Sequence, residues 1–267
     1  MSFDRGLVRT RLGHIHYRAI GSGPAIILFH INQQSSALMQ ELMEALSPAH
    51  RVIAMDYPSH GDSDSIDFQP DFADYAECGI AVLDALGIGS AAAMGEAVGA
   101  GVSAAIANAH PARINRLVLI NCPFSAERGR TATHVRELQS GLRPEDESGF
   151  PLTRTLRFMQ ETDPGHAPMH PTQDWMDRIN TAAMQVGRRR WQAVTALARF
   201  DLDDALRRLV QPTQLVLGEH FHYTPHLPEM AARIRDLRHA VLPDSRFCMS
   251  WERAREIAAA AIPFLRA

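Results

Sequence analysis

The feature that most narrows the possible folds is a rhythm in which short, uninterrupted apolar runs are separated by segments of helical periodicity. Residues 25–29 (AIILF) are such a run, and 51–55 (RVIAM), 114–120 (INRLVLI) and 213–217 (TQLVL) read as further buried strands with apolar centres, with a smaller one at 90–94. They are too short for buried helices and lack the polar alternation of a sheet with one wet face. Strands covered on both sides, as in a parallel sheet, have this pattern. Between them, residues 36–46, 71–86 and 98–109 read as helices. In 71–86, Phe72, Tyr75, Ile80, Val82, Leu83 and Leu86 fall on one face. Two further strands, 6–12 and 14–20, open the chain, and the turn cluster 21–24 follows them. Strand and helix alternate throughout this half, which predicts an α/β fold with a mostly parallel, doubly wound sheet.

The rhythm changes after Cys122. Residues 123–210 contain no convincing strand, only helical patterns at 131–142, 152–160, 173–186 and 189–206. Alternation resumes with the run at 213–217, a helix over 228–237, a strand over 239–242 and a closing helix over 252–265. The expected organisation is one α/β core made of residues 1–122 and 211–267, interrupted by a helical insertion over 123–210.

Composition removes several function classes. All 27 basic residues are arginine, so a Schiff-base lysine, a pyridoxal-phosphate lysine and a P-loop lysine are excluded within this chain. Basic residues nearly balance the 30 acidic ones, for a formal charge of -3, which points away from nucleic acid and anionic membranes as partners. Cys78, Cys122 and Cys248 are odd in number and lack metal spacing. That usage fits a reducing cytosol, and the opening MSFDRGLVRT does not read as a signal peptide, so a cytoplasmic location is expected. No motif calls for a cofactor or a metal. A small-molecule ligand is the expected partner, and homo-oligomerisation is left open.

Four landmarks, in order, make the chain resemble the α/β-hydrolase superfamily over essentially its whole length. His30 after an apolar strand resembles the His-Gly oxyanion loop, and residues 56–64 (DYPSHGDSD) resemble the D-x-x-G-x-G-x-S-D stretch. Gly95-Glu96-Ala97-Val98-Gly99 stands where G-x-S-x-G belongs, and Gly218 begins the G-x-x-D segment. The resemblance implies an α/β-hydrolase fold whose helical cap follows the sixth strand. It also implies a serine on a strained strand-to-helix turn, a histidine that takes its proton, and an acid that orients the histidine. On those roles this chain places Ala97 at the elbow, Phe221 at the acid and, by an ungapped match of the final G-H-F-P-x-x-E segment to residues 246–252, Phe247 at the histidine. Ordinary serine esterase chemistry is therefore not expected, because nucleophile and base act as one unit.

The backbone part of such a site does not depend on side-chain identity. The N–H groups of Ile31 and Val98 are the expected oxyanion donors. His30 and Glu96 are the candidate proton carriers, set against equally structural readings: His30 bracing the oxyanion loop, Glu96 pairing with a buried arginine. Asn32, Gln33, His220, His222, Trp175 and Trp191 are candidate ligand contacts. His220 and His222 have a spacing that metals use, but the same spacing recurs at His14 and His16, so no metal is assigned. Cys248 reads as a small buried hydrophobe rather than a nucleophile, Met176, Met184 and Phe200 as cap core, and the run 188–190 as a solvated face. Three functions remain. The first is an enzyme of lyase, isomerase or cyclase type that acts without a covalent intermediate on a small apolar carbonyl or carboxylate compound. The others are a non-catalytic binding protein or inert partner subunit, and a hydrolase that activates water directly.

Overall fold

A computed structural model of the protein describes residues 2–124, 133, 153–162 and 164–267. Eight strands form one sheet: β1 (Asp4–Thr10), β2 (Gly13–Ile20), β3 (Ala25–Phe29), β4 (Arg51–Met55), β5 (Ala91–Glu96), β6 (Ile114–Ile120), β7 (Thr213–Gly218) and β8 (Leu237–Leu242). Their spatial order is β1-β2-β4-β3-β5-β6-β7-β8, with β2 antiparallel to both neighbours and every other pairing parallel. The α/β-hydrolase fold with a mostly parallel sheet, expected from the resemblance, is the fold observed.

Period-two burial explains why the central strands are apolar without interruption. Ile27 and Phe29 of β3 enter one core while Ile26 and Leu28 enter the other. Ile53 and Met55 against Val52 and Ala54 on β4, and Leu117 and Leu119 against Val118 and Ile120 on β6, repeat the pattern. Helices α1 (Gln40–Leu46) and α2 (Phe72–Ala85) belong to opposite cores, as do α3 (Val98–Ala109) and the last helix. The start of α2 is fixed by a capping box between Asp71 and Asp74.

Strand β5 (AAAMGE) is built mainly of small residues, and α3 lies close behind it. A Cβ on Gly99 would sit 2.1 Å from the Phe29 carbonyl oxygen, and one on Gly95 would sit 2.2 Å from that of Gly99. Only glycine at both positions lets the β5–α3 turn rise against β3.

Between β6 and β7 every described element is a helix: α4 (Leu156–Thr162), α5 (Gln173–Val186), α6 (Gln192–Arg199) and α7 (Leu202–Arg207), with short 3-10 turns at Pro164–His166 and Gly187–Arg189. The helix expected over 131–142 lies, except for residue 133, outside the described residues. Residues 173–186 form the expected helix, whereas 189–206 break in two because Phe200 turns extended and Asp201 caps a new start at Asp204 N. After β7 come α8 (Leu227–Ala231), α9 (Met249–Glu252) and α10 (Ala254–Arg266). The helix expected over 228–237 ends early, since Leu237 pairs into β8 beside Thr213. Among the described residues no helix is long and apolar enough to cross a membrane.

Candidate functional site

The sharpest backbone feature of the fold is at the end of β5. Ala97 has φ 53° and ψ -112°, a conformation that L residues rarely adopt, and it directly precedes α3. Its N–H donates to the Ile120 carbonyl at 3.0 Å, and its own carbonyl accepts from Ala100 N at 2.9 Å, so the turn is locked on both sides. Val98 is the first residue of α3, and its N–H has no partner within the helix. The elbow expected from the Gly95–Gly99 segment is present, with a methyl group at its tip.

That methyl faces an open-mouthed cavity. Ile31, Val98, Phe221 and Phe247 line it beside Ala97, and Trp175, Trp191 and Tyr223 extend the aromatic wall. The Phe221 and Phe247 rings stack with centroids 6.0 Å apart and planes 22° apart. The sequence-stated positions 97, 221 and 247 therefore converge on one space, although they come from three different loops. Asn32, Gln33, His222, Trp175 and Trp191 also line it.

His30 and Glu96 are not placed there. The His30 ring is fully buried behind the loop that follows β3: Nδ1 lies 2.7 Å from the Ile31 carbonyl, and Nε2 accepts from Tyr57 N at 3.2 Å. Tyr57 returns a hydrogen bond from its hydroxyl to the His30 carbonyl. Burial holds this imidazole neutral, its pKa down at about 4. Both ring nitrogens are thus engaged within the loop, and His30 is not among the residues that line the cavity. Its neighbour Asp56 anchors the same loop. Burial works against its charge, yet the His16 ring, nearby His30 and the amides of Ser36 and Asp62 bring its pKa to about 2. Gly61 is required here, since a Cβ would fall 2.2 Å from Asp56 Oδ2. The DYPSHGDSD stretch is thus a structural clasp, and Ser59 within it is buried with Oγ accepting from Ile66 N.

Glu96 points to the other side of the elbow. Its carboxylate accepts from Met249 N and Ser250 N at 2.9 Å, from Ser250 Oγ at 2.7 Å and from Asn121 Nδ2 at 3.1 Å. Burial pushes its pKa above the ordinary carboxylate range against the pull of these donors. Among the described residues no arginine pairs with it; its partners there are the α9 start and Asn121. Asn121 also donates to the Arg246 carbonyl and accepts from Gly218 N, so one buried network joins the ends of β5, β6 and β7 to the loop carrying Phe247. Asn121 escaped the sequence reading, because nothing in its local pattern marks a residue that bridges three chain segments.

The remaining candidates divide. His220 is exposed, lies 3.8 Å from Glu219 and does not line the cavity, so His220 and His222 do not act as a pair. His166, which the sequence reading did not single out, takes that place: its ring stands 5.7 Å from that of His222 and 5.4 Å edge-on from Phe247. Cys248 is buried, and burial with Glu96 nearby pushes its thiol well above the ordinary range, which keeps it protonated. Arg190 is buried over the Trp191 ring and Arg189 pairs with Asp67, so the run 188–190 is partly a packing element rather than a solvated face. Met184 is exposed, and Phe200 packs on Phe72 away from the cavity.

Comparison with known proteins agrees with this fold. The family model described as alpha/beta hydrolase fold matches residues 24–254. A relative, 2-(acetamidomethylene)succinate hydrolase of Mesorhizobium japonicum, is 27% identical over 222 residues, covering 79% of this chain and 77% of that protein. The solved structure of an E-2-(acetamidomethylene)succinate hydrolase superposes with a TM-score of 0.77 at 23% identity, covering all of both chains. A hydrolase from Pseudomonas aeruginosa PA01 superposes with a TM-score of 0.82 at 24% identity over 99% of each chain. The sheet order, the strained turn after β5 and the family match over most of the chain together make it a member of the α/β-hydrolase fold family.

Proposed function

We propose that the protein acts on a small, largely apolar carbonyl or carboxylate compound without forming an acyl-enzyme, in a lyase, isomerase or cyclisation step. What supports this reading is the elbow: its backbone is strained, and a methyl and two stacked benzyl groups line one cavity at the positions that the resemblance gives to a hydroxyl, a carboxylate and an imidazole. The N–H groups of Val98 and Ile31 then polarise a ligand oxygen, in a space dried by aromatic walls where each hydrogen bond is stronger. Binding and orientation supply most of the acceleration. Proton transfer falls to His166 and His222, the imidazoles that line the cavity, and not to His30 or Glu96. Residues 123–210 serve as the cap, and the protein works in the cytoplasm on a small molecule, with no cofactor.

A second reading, a hydrolase that activates water directly, is favoured by the names of the relatives and by the exposed position of His222 at the cavity rim. Labelled solvent oxygen entering the product supports it; unlabelled product excludes it. The test of the main reading begins with Ala97→Ser. If the relay positions are empty of acid and base, this variant gains no esterase turnover on aryl esters and stays unlabelled by a fluorophosphonate. Stoichiometric labelling of either protein would overturn the proposal. His166→Ala and His222→Ala are then compared for turnover and ligand binding over a panel of enolisable keto acids. Turnover lost with binding retained supports an enzyme, and binding without turnover in the unmodified protein supports a non-catalytic receptor.

A further inference from the structure

The first turn of α6 holds an amide that the helix itself cannot satisfy. Thr195 N reaches back to the Trp191 carbonyl at 2.9 Å, but Val194 N, one residue earlier, has no intrahelical acceptor. Trp191 stands at the N-cap, and an indole side chain offers no acceptor oxygen. The acceptor comes from the loop after β3, where Asn32 Oδ1 takes Val194 N at 3.1 Å. Of the two ends of a side-chain amide only the oxygen accepts, so this bond fixes which way the Asn32 side chain is turned.

Nδ2 is then the end left over. It has no partner among the described residues, and Asn32, half-buried, lines the cavity together with Val194. The backbone beneath it is also set: Asn32 is the second residue of a turn closed by Gln34 N on the Ile31 carbonyl at 3.3 Å, with Gln33 at φ 61°. A donor tied at its oxygen and carried on a fixed turn is oriented before any ligand arrives, and it is oriented only while α6 is seated on the core.

We infer that Asn32 is a specificity-determining residue of the cavity, whose Nδ2 donates to a second oxygen acceptor of the ligand, a few bonds from the oxygen held by the Ile31 and Val98 amides. Two backbone donors fill the two lone pairs of one carbonyl oxygen, which leaves the Asn32 donor to another. Asn32 directly follows Ile31, so both oxygens belong to one small molecule: a keto ether, keto ester or β-diketone on an apolar body. The bond reads an acceptor atom, whether the ligand is neutral or charged. The inference rests on the reading of this cavity as the ligand site, but not on which reaction follows.

A test on the full chain uses two neutral ketones, phenacyl methyl ether and butyrophenone, which differ by an ether oxygen in place of a methylene. Their dissociation constants are measured by calorimetry in the unmodified protein, in Asn32→Asp and in Asn32→Ala. The first variant keeps an oxygen for Val194 N and loses the donor; the second loses both. The expected result is that each variant weakens the ether by about fivefold relative to butyrophenone, whose own affinity stays within about twofold. The melting temperature is kept in Asn32→Asp and falls by about 3 °C in Asn32→Ala, through loss of the cap. A residue that only capped α6 would move the melting temperature and leave the ratio of affinities alone. An unchanged ratio in either variant, an equal loss for both ketones, or no binding of the ether up to about 10 mM overturns the inference. A ratio that shifts as expected without turnover of any enolisable keto acid would sink the reaction reading and leave this one standing; turnover with an unchanged ratio would do the reverse.

Discussion

Lowering the pH from about 7.5 to about 5 tests the bracing role of His30 directly, because two fully buried imidazoles, His30 and His60, must stay neutral for the loop after β3 to keep its shape. Burial brings their pKa values from the ordinary 6.5 to about 4 and about 3 respectively. Their rings lie 5.4 Å apart, so protonation of one further disfavours the other. A folded pKa below the unfolded one means that the unfolded chain binds protons first. Stability is therefore fully present above 6.5 and is lost as pH falls toward 4. At about pH 5 each imidazole withdraws about 2 kcal/mol, or about 4 kcal/mol for the pair. Asp56 does not confuse this window, since its own contribution is lost only between 3.8 and about 2. Glu96 acts in the opposite sense: its raised pKa favours the fold at low pH and loses that contribution as pH rises, so it offsets part of the fall. Urea unfolding at the two pH values measures the net loss. His60→Gln, which retains a donor toward the Pro58 carbonyl, should remove about half of the histidine-linked part. Flat stability across the window, or a His30 ring that titrates near 6.5 by NMR, would refute the bracing argument and return His30 to the list of proton carriers.

Two further outcomes follow from the elbow. Gly99→Ala drives a Cβ against the Phe29 backbone carbonyl and should cost about 3 kcal/mol or more in urea unfolding, since neither backbone can yield cheaply. Glu96→Gln turns an oxygen that accepts buried hydrogen bonds into a donor facing donors. It should destabilise by about 3 kcal/mol in the same assay and loosen the Phe247 loop, with greater hydrogen exchange at Met249 and Ser250 N.

Most of the fold could be read from local sequence. A strand buried on both faces is apolar at most positions, so β3 and the apolar centres of β4, β6 and β7 stand out in the sequence. The capping box at Asp71 and the helical spacing behind it likewise need no tertiary information. The order of motifs singles out Ala97, Phe221 and Phe247, and the structure brings these three to one cavity. Boundaries set by pairing were not legible: Leu237 reads as helix until β7 supplies a partner.

What the chain's local pattern could not decide is which polar side chains face the cavity. His30 and Glu96 stand beside its wall in sequence, yet a strand end turns successive side chains to opposite sides, and hydrogen-bond partners at Tyr57, Asn121, Met249 and Ser250 draw both away. His166 and Arg154 come from a helical region far along the chain and reach the same space only when it folds over the elbow. Sequence fixes periodicity, because that depends on neighbours a few residues apart; the identity of the groups meeting a ligand depends on contacts between distant segments, and only the packed structure supplies those.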